Sequence, residues 1–496
     1  MSAGGLVVLV HPGMGFYDSV AKDIPLALLS AARNVDFVDL VLVDQRVAGW
    51  KRRLDDCLRR IPAAVCFTAL TGQQTKHALE ISRYVKSADK RVPVVWGGIH
   101  PTFAPESTIR NASIDLVVTG EAEYAFPEVL RSLESGQAPV TQGVWYRQGR
   151  EVCNTGPPPE GPELDGLGFP RLDLLDFRTY NQRGFLNFGN VFPVETGRGC
   201  TWNCAFCYNS SPHRRKRRSM SAERILEQVH HLRSHVAFDG VNFIDDNFFS
   251  DPERLLRLTG LLARSECRFV WGIETGVHEL LATSEDLLLD LERLGLRWLS
   301  IGVESGSQRI LDRVGKRLKV EQVRELNARL AGYRFSAMFN FMNGYIWEED
   351  EDLRKTTSLI LDVLSGNPNA SIQAFQAVVP YPGTRYFREF ERAGLDTPNT
   401  LEAWGECNPD DWLDKQQWIT PQRKRLLKTL YVASLFIDRK IYSNVARQGL
   451  WVLLLRTFRF VYRPLAWARL RFNTSLFPVE LVAFETVKRL TALKGG

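Results

Sequence analysis

Along the first 140 residues, short β-branched runs alternate with stretches of helical period. The runs are 6–10 (LVVLV), 37–44 (FVDLVLVD), 63–70 (AAVCFTAL), 92–98 (VPVVWGG) and 114–121 (IDLVVTGE). Between them, residues 75–86 and 121–133 place apolar side chains at helical spacing. Continuous apolar strands separated by helices predict a parallel sheet covered on both faces. Five such strands predict a flavodoxin-like, doubly wound α/β domain, whose ligands lie outside the carboxyl ends of the strands. At those ends stand Thr71-Gly72, Gly97-Gly98 ahead of His100, and Gly120-Glu121. Glycine lets a large ligand approach the backbone. The same glycines also serve simply to turn strand into loop, and they imply no particular ligand.

Residues 154–170 are rich in proline and glycine and lack periodicity, which predicts a linker. Alternation resumes from about 191 to 380. Strands are predicted at 191–196, 240–245, 268–273, 297–303, 334–342 and 371–378, and helices between them at 221–234 and 319–332. Six βα units suit a partial (βα)6 TIM-type barrel rather than a closed eightfold one. From about 400 the pattern turns helical. The predicted organisation is a first domain over 1–140, a linker over 141–190, a barrel core over 191–395 and a helical region over 396–496.

Composition changes this picture little. At 496 residues, with 44% hydrophobic and 24% charged residues, the chain reads as a multi-domain globular protein. The N-terminus lacks a basic segment ahead of its short apolar run, so no signal peptide is expected. No run approaches the length of a membrane span, and a cytoplasmic setting is expected. The net charge of +6 conceals an asymmetry: residues 439–496 carry 11 Lys and Arg against Glu480 and Glu485, a local +9. The remainder is slightly acidic, so the basic character belongs to the tail.

The eight cysteines are unevenly placed. Five (Cys57, Cys66, Cys153, Cys267, Cys407) are scattered, as buried thiols in a reducing compartment would be. Three fall within RGCTWNCAFCYN (198–209), spaced C-x3-C-x2-C: Cys200, Cys204 and Cys207. They follow the first predicted barrel strand at its carboxyl end, where barrels place their chemistry. Structural zinc normally takes four protein ligands, and only His213 lies close enough to be a fourth. A [4Fe–4S] cluster held by three cysteines keeps one iron open for a substrate or cofactor. Spacing alone leaves a cluster, a zinc site and inert thiols as alternatives.

The flanking residues bring a resemblance. C-x3-C-x-Φ-C with aromatic Phe206 resembles the radical S-adenosylmethionine (SAM) superfamily signature. FIDDNFF (243–249) is similar to that family's acidic turn after the second strand. LSIGVESGSQRILDRVGK (299–316) is similar to its G-x-x-E-S-G-S segment, which includes Glu304 and Ser305. VVPYPGTRYF (378–387) is similar to the loop after its sixth strand. Upstream, VVWGGIHPTFAPESTI (94–109) with DLVVTGEAEYAFPEVL (115–130) resembles the cobalamin-binding domain that precedes the core in many such enzymes.

The resemblance implies a cobalamin-dependent radical SAM enzyme that uses a [4Fe–4S] cluster on Cys200, Cys204 and Cys207, SAM and cobalamin. It implies SAM contacts from Phe206, Tyr208, Asp246, Asn247, Glu304 and Ser305. It implies cobalamin contacts from Thr71, Gly72, Gly97, Gly98, His100, Gly120 and Glu121. Asp246 and Asn247 have an alternative reading as helix caps, and Tyr208 either packs or shields the cluster. The implied activity is methylation of an unactivated carbon in a small-molecule or lipid-like substrate, through a 5′-deoxyadenosyl radical and methylcobalamin. An oxidative cyclase or hydroxylase-like enzyme is the alternative. A cobalamin-binding regulatory protein with a structural cluster is another, against which Glu304 and the three retained cysteines weigh. An electron donor of flavodoxin or ferredoxin type is implied as a partner. Two departures stand out. The family's frequent D-x-H-x-x-G aligns best with 44–49, where Arg46 replaces the cobalt-ligating histidine, so no histidine ligand to cobalt is expected. The usual G-x-P-x-E after the fifth strand reads Gly344-Tyr345-Ile346-Trp347-Glu348, without proline, which implies a divergent substrate.

The tail mixes Trp, Phe, Leu and Arg. Residues 440–472, with Trp451, Phe458, Phe460 and Trp467, suit an interfacial helix on an anionic membrane. A helical cap on the barrel is the alternative. A basic segment also suits nucleic acid, but no RNA-binding module is apparent and no nucleic-acid partner is expected.

Overall fold

The computed structural model describes residues 5–15, 18, 22–180, 189–210, 216–407, 409–416, 418–437 and 450–492. His213 and residues 440–449 lie outside them, as do the side chains of Trp451 and Phe458. The chain divides into two compact units, Met1–Asn181 with Tyr381–Asn408, and Gln182–Pro380 with Pro409–Gly496.

In the first unit the five apolar runs become strands β1 (Leu6–His11), β2 (Asp39–Asp44), β3 (Ala64–Thr68), β4 (Val94–Gly97) and β5 (Leu116–Val118). They are parallel, in the doubly wound order β2-β1-β3-β4-β5. Register runs from Leu6 opposite Asp39 through Val7 opposite Ala64 and Val65 opposite Val94 to Val95 opposite Leu116. Val8, Val10, Val65, Phe67, Trp96 and Val117 form the core with Leu79 and Val85 of the helix Gln73–Ala88. Trp96 donates its indole N–H to Ser82 Oγ at 2.9 Å, so its one polar atom is satisfied inside.

The predicted linker contains more structure than its composition suggests. Strands β6 (Val144–Gln148) and β7 (Glu151–Asn154) extend the sheet antiparallel, with Val118 opposite Val144 and Gln148 opposite Glu151. Residues 381–408 also return to this unit. Their helix Leu401–Gly405, capped by Thr400 Oγ1, packs on the helix Gln73–Ala88.

The second unit holds the barrel core. Strands β8 (Val191–Glu195), β11 (Gly240–Ile244), β12 (Val270–Thr275), β13 (Leu296–Glu304), β14 (Ser336–Asn343) and β15 (Ala370–Ala377) lie parallel in chain order. The short pair β9 (Gly197–Arg198) and β10 (Arg218–Ser219) brackets the cysteine loop. Helices Ala222–His235, Pro252–Arg264 and Glu285–Arg293 start at Ser221, Asp251 and Ser284, each of whose side chains accepts a backbone N–H of the first turn. Six strands in sequential order form the open partial barrel that six βα units predict. The C-terminal region is helical. Pro409–Lys415 and Pro421–Ile437 pack on β15, and Leu450–Phe472 packs on Pro421–Ile437 and on Asp350–Gly366. Among the described residues no helix is long and apolar enough to cross a membrane.

Candidate functional site

The carboxyl ends of the barrel strands meet the cysteine loop. Alternation along the strands turns Asn242, Glu274, Ser300 and Asn340 toward the barrel interior while their neighbours pack under helices. Trp298 donates to Asn242 Oδ1 at 3.2 Å, and Asn340 donates to Ser300 Oγ at 3.0 Å. The Trp298 ring lies across Gly272, where any Cβ would overlap it, and so floors the interior.

The loop itself is held at several points. Gly199 N–H donates to Asp246 Oδ2 at 2.7 Å, and Tyr208 O–H reaches Asp246 Oδ1 at 3.4 Å. Ala205 N–H donates to Val314 O at 2.7 Å, and Cys207 N–H to Cys204 O at 3.1 Å. Cys204 is buried, while Cys200, Phe206 and Cys207 are partly exposed. Burial raises the Cys200 thiol above its ordinary range and, with neighbouring thiols and Asp246, pushes Cys207 up to about 12. Without metal these groups are therefore neutral, and iron would supply the positive charge that favours their thiolates.

Residues of this donor set fit an iron–sulfur cluster. Three thiols share one loop, and Lys316 stands near Cys204 and Cys207. Among the described residues no three His, Cys, Asp or Glu side chains converge as a single metal ion requires. Three thiols that each meet a different iron have no need to.

Glu304 ends β13 with φ +71°, an unusual conformation for a residue with a side chain. Lys316 Nζ donates to its Oε1 at 2.8 Å. Burial works against the ammonium, but Glu304 and the nearby thiols outweigh it and hold the Lys316 pKa above its ordinary value. The sequence reading quoted Lys316 without singling it out, because a lysine on a helix end usually marks a solvated face.

Several expected SAM residues have internal partners instead. Asp246 braces the cysteine loop as described. Asn247 donates to Glu279 Oε1 at 2.7 Å and accepts from Thr275 Oγ1 at 3.2 Å, while Trp202 donates to the same Glu279 oxygen at 2.9 Å. Neither Asp246 nor Asn247 caps the following helix, since Asp251 does so. Neighbouring Asp245 is buried against Arg254 at 2.9 Å. Ser305 is fully buried, its Oγ hydrogen-bonded to Thr356 Oγ1 at 2.9 Å. Ser305 therefore shapes the turn after β13 from within. Glu279 and Trp202 had no sequence signal, since their pairing spans 77 residues.

The altered segment 344–348 closes on itself. Gly344, at φ +74°, donates its N–H to Glu348 Oε2 at 2.8 Å, and Arg423 donates to the same oxygen at 3.0 Å. Burial, opposed by these two donors, raises the Glu348 pKa to about 7. Tyr345 stacks on Trp347 at 4.9 Å. Beside it, a cavity of about 30 Å³, enough for a water, is lined by Asn343, Phe375, Leu413, Leu427 and Tyr431.

In the other unit, the rim of β1–β5 is built largely from backbone. Gly72, Gly98 and Gly120 have φ of +103°, +100° and +78°. A Cβ on Gly98 would stand 2.7 Å from Thr68 Oγ1 and 2.9 Å from Ala69 N. Thr71, Gly97, Gly98, Gly120 and Glu121 stay partly exposed at this rim, so the residues present leave room for a large planar group. His100 does not share that exposure. It is fully buried, with Nδ1 hydrogen-bonded to Thr71 Oγ1 at 2.9 Å and the Trp404 ring edge-on at 5.8 Å. Gly72, also buried, donates its N–H to Trp404 O at 3.2 Å. His100 and Gly72 therefore support the rim from beneath.

Arg46 is committed to a buried ion pair. It donates to Asp44 Oδ1 at 2.9 Å and Oδ2 at 2.7 Å, and Tyr180 O–H donates to Asp44 Oδ2 at 3.0 Å. His11, at the end of β1, is 8% exposed, and neither ring nitrogen has a hydrogen-bond partner. Burial holds the His11 and His100 pKa values down to about 3, so both rings are neutral.

Comparison with known proteins agrees with this division. Residues 194–360 match the radical SAM superfamily, and residues 14–130 match the B12 binding domain. An uncharacterized methyltransferase of Pyrococcus horikoshii is 29% identical over 377 residues, 75% of this chain and 78% of that protein. The hopanoid C-3 methylase of Methylococcus capsulatus is 26% identical over 392 residues, 76% of this chain and 71% of that protein. Among solved structures, the cobalamin-dependent SAM radical enzyme OxsB shares the fold with a TM-score of 0.72 at 16% identity, covering 99% of this chain and 75% of its own.

Proposed function

We propose that this chain, which belongs to the radical SAM superfamily and carries a B12-binding domain ahead of its core, is a cobalamin-dependent radical SAM methyltransferase acting on an unactivated carbon. When bound, the cluster with SAM supplies a 5′-deoxyadenosyl radical and cobalamin supplies the methyl group. The observation that carries the reading is the joint presence of the braced three-thiol loop, with Glu304–Lys316 beside it, and a glycine rim on a B12-binding domain. Cys200, Cys204 and Cys207 would hold the cluster. Phe206 and Tyr208 flank it, and Asp246 fixes the loop through Gly199 and Tyr208. Glu304, presented by its left-handed backbone and held by Lys316, is placed to accept hydrogen bonds from an ammonium or ribose. Thr71, Gly98, Gly120 and Glu121 would line the cobalamin cleft.

The relatives' printed activities support transfer of a methyl group over an oxidative cyclisation. The substrate is a small or lipid-like molecule, and the electron donor is of flavodoxin or ferredoxin type. The basic C-terminal region makes peripheral contact with a membrane. Anaerobic turnover of the reconstituted protein should release both S-adenosylhomocysteine and 5′-deoxyadenosine, with a product one CH2 heavier than the substrate. An oxygenated or cyclised product without S-adenosylhomocysteine would overturn the assignment. Because Arg46 is paired and both His11 and His100 are buried, the cobalt(II) form of bound cobalamin should give an electron paramagnetic resonance spectrum free of nitrogen splitting.

A further inference from the structure

The tail contains a corner whose construction is at odds with its exposure. Helix Leu450–Phe472 ends in a turn that leads into helix Val479–Ala492. Arg469, buried at the bend, donates to Glu480 Oε1 at 2.9 Å, Leu476 O at 2.5 Å and Phe477 O at 3.0 Å. A charge this well buried and paired fixes one conformation of the turn. Asn473 and Phe477 adopt φ of +46° and +48°. Asparagine visits that region readily, but an aromatic residue does so only at a cost.

The fixed turn displays apolar side chains outward. Phe477 is 87% exposed, and Phe472 and Leu476 are each 73% exposed. Phe460, Val461 and Leu465 extend the patch along the first helix at one-turn spacing, and Val479 and Val482 extend it onto the second. An apolar patch on a strained, rigid turn is not explained by packing, and patches of this kind mark interaction sites. The charge around it is of one sign. Residues 450–492 contain seven Lys and Arg against Glu480 and Glu485, and Arg469 with Glu480 form the internal pair. Arg471 is exposed next to Phe472.

We infer that the corner formed by Phe472, Leu476, Phe477, Val479 and Val482 inserts into the interfacial layer of an anionic lipid bilayer, with the surrounding basic residues on its headgroups. This deepens the peripheral contact proposed above and rests on it, but moves the insertion from the helix 440–472 to the turn after it. A second copy of the chain is disfavoured as occupant. A two-fold interface would set the same positive rim against itself, whereas an anionic surface complements it.

The test is flotation of the full-length reconstituted protein with phosphatidylcholine vesicles, with and without phosphatidylglycerol. Binding should favour the anionic vesicles, and salt should release only part of it. Joint replacement of Phe472, Leu476 and Phe477 by Ser should lower the partition coefficient by about tenfold or more. If that variant folds poorly, Leu476→Trp supplies an independent readout, because lipids carrying bromine on their acyl chains should quench the new indole. Failure of the wild type to float with either vesicle overturns the inference, as does an unquenched indole on bound protein. A concentration-dependent dimer abolished by the serine replacements, without vesicle binding, would assign the patch to a second copy instead. Vesicle binding is read without turnover, so its failure leaves the methyl-transfer reading standing, and loss of methyl transfer leaves the lipid result standing.

Discussion

Two parallel sheets in this chain end in rims of opposite make-up. The rim of β1–β5 is made by leaving side chains out: Gly72, Gly98 and Gly120 occupy backbone conformations that other residues resist, and the neighbouring histidine lies beneath the surface. The barrel rim is made by placing charges, with Glu304 on Lys316 and Asp246 on the cysteine loop. Omission suits a cofactor that is large and flat and meets backbone over a wide area. Placed charge suits a small polar cofactor and a cluster, each of which needs a few oriented groups in a shielded site. The two rims should therefore fail differently when altered.

The largest expected effect is at the barrel rim. Cys207→Ala should reduce iron from about four per chain to near none and abolish SAM cleavage, because a cluster of this type depends on each protein thiolate. Cobalamin uptake by the N-terminal unit, measured by visible absorption, should be retained. Next comes the buried pair. Lys316→Met leaves the Glu304 carboxylate alone and should cost about 3 kcal/mol, the low end for a broken buried pair, since Lys316 is 20% exposed. The double change with Glu304→Gln should recover part of that loss in urea unfolding. Additive losses would show that the two side chains do not interact.

The omission rim is tested by contrast with another glycine. Gly98→Ala should destabilise by about 2–3 kcal/mol and weaken cobalamin binding, since its Cβ meets Thr68 and Ala69 in addition to a strained φ. Gly49→Ala, at φ +80° with no atom within 4 Å of the new Cβ, should cost only about 1 kcal/mol and leave binding unchanged. Equal effects would mean that backbone strain alone, and not close approach, governs the rim.

The smallest effect is on pH dependence. His11 and His100 are held down to about 3 by burial, below the 6.5 of an unfolded histidine. Between those values the unfolded chain binds protons that the folded unit does not, so stability falls as pH falls. Each imidazole contributes about 1.4 kcal/mol per pH unit across that window. Urea midpoints between pH 6 and 4.5 should follow this slope for the N-terminal unit, and His100→Gln should remove about half of it. A slope unchanged in that variant would show that other groups set the acid sensitivity.

Much of the architecture was legible because it depends on runs of buried residues. All six barrel strands and the five parallel N-terminal strands sit where β-branched runs predict them, within a few residues. The hairpin β6–β7 was missed because its strands are short and half exposed, and VWYRQ and EVCN look no different from a polar connection. The cysteine loop could be read because its spacing is local. What partners the loop could not, since Asp246, Glu279 and Lys316 reach their contacts through the fold. Asn247 and Ser305 show the converse: a motif gives the address of a residue, but its side chain can be turned to an internal partner. The basic tail was legible as charge, yet the exposed turn at 472–477 depends on a buried Arg469 that the sequence counts as one more surface cation.

The return of residues 381–408 to the N-terminal unit has a consequence for how the protein is made. Gly72 and His100 gain their Trp404 contacts only when that late segment arrives. A ribosome adding about 5–20 residues per second needs roughly 10–45 s to go from Asn181 to Asn408. During that interval the nascent N-terminal sheet is complete in strands but lacks its last helix. A gene cut after the first domain would encode a module permanently in that unfinished state, so transplanting this cofactor domain requires two pieces of the coding sequence rather than one.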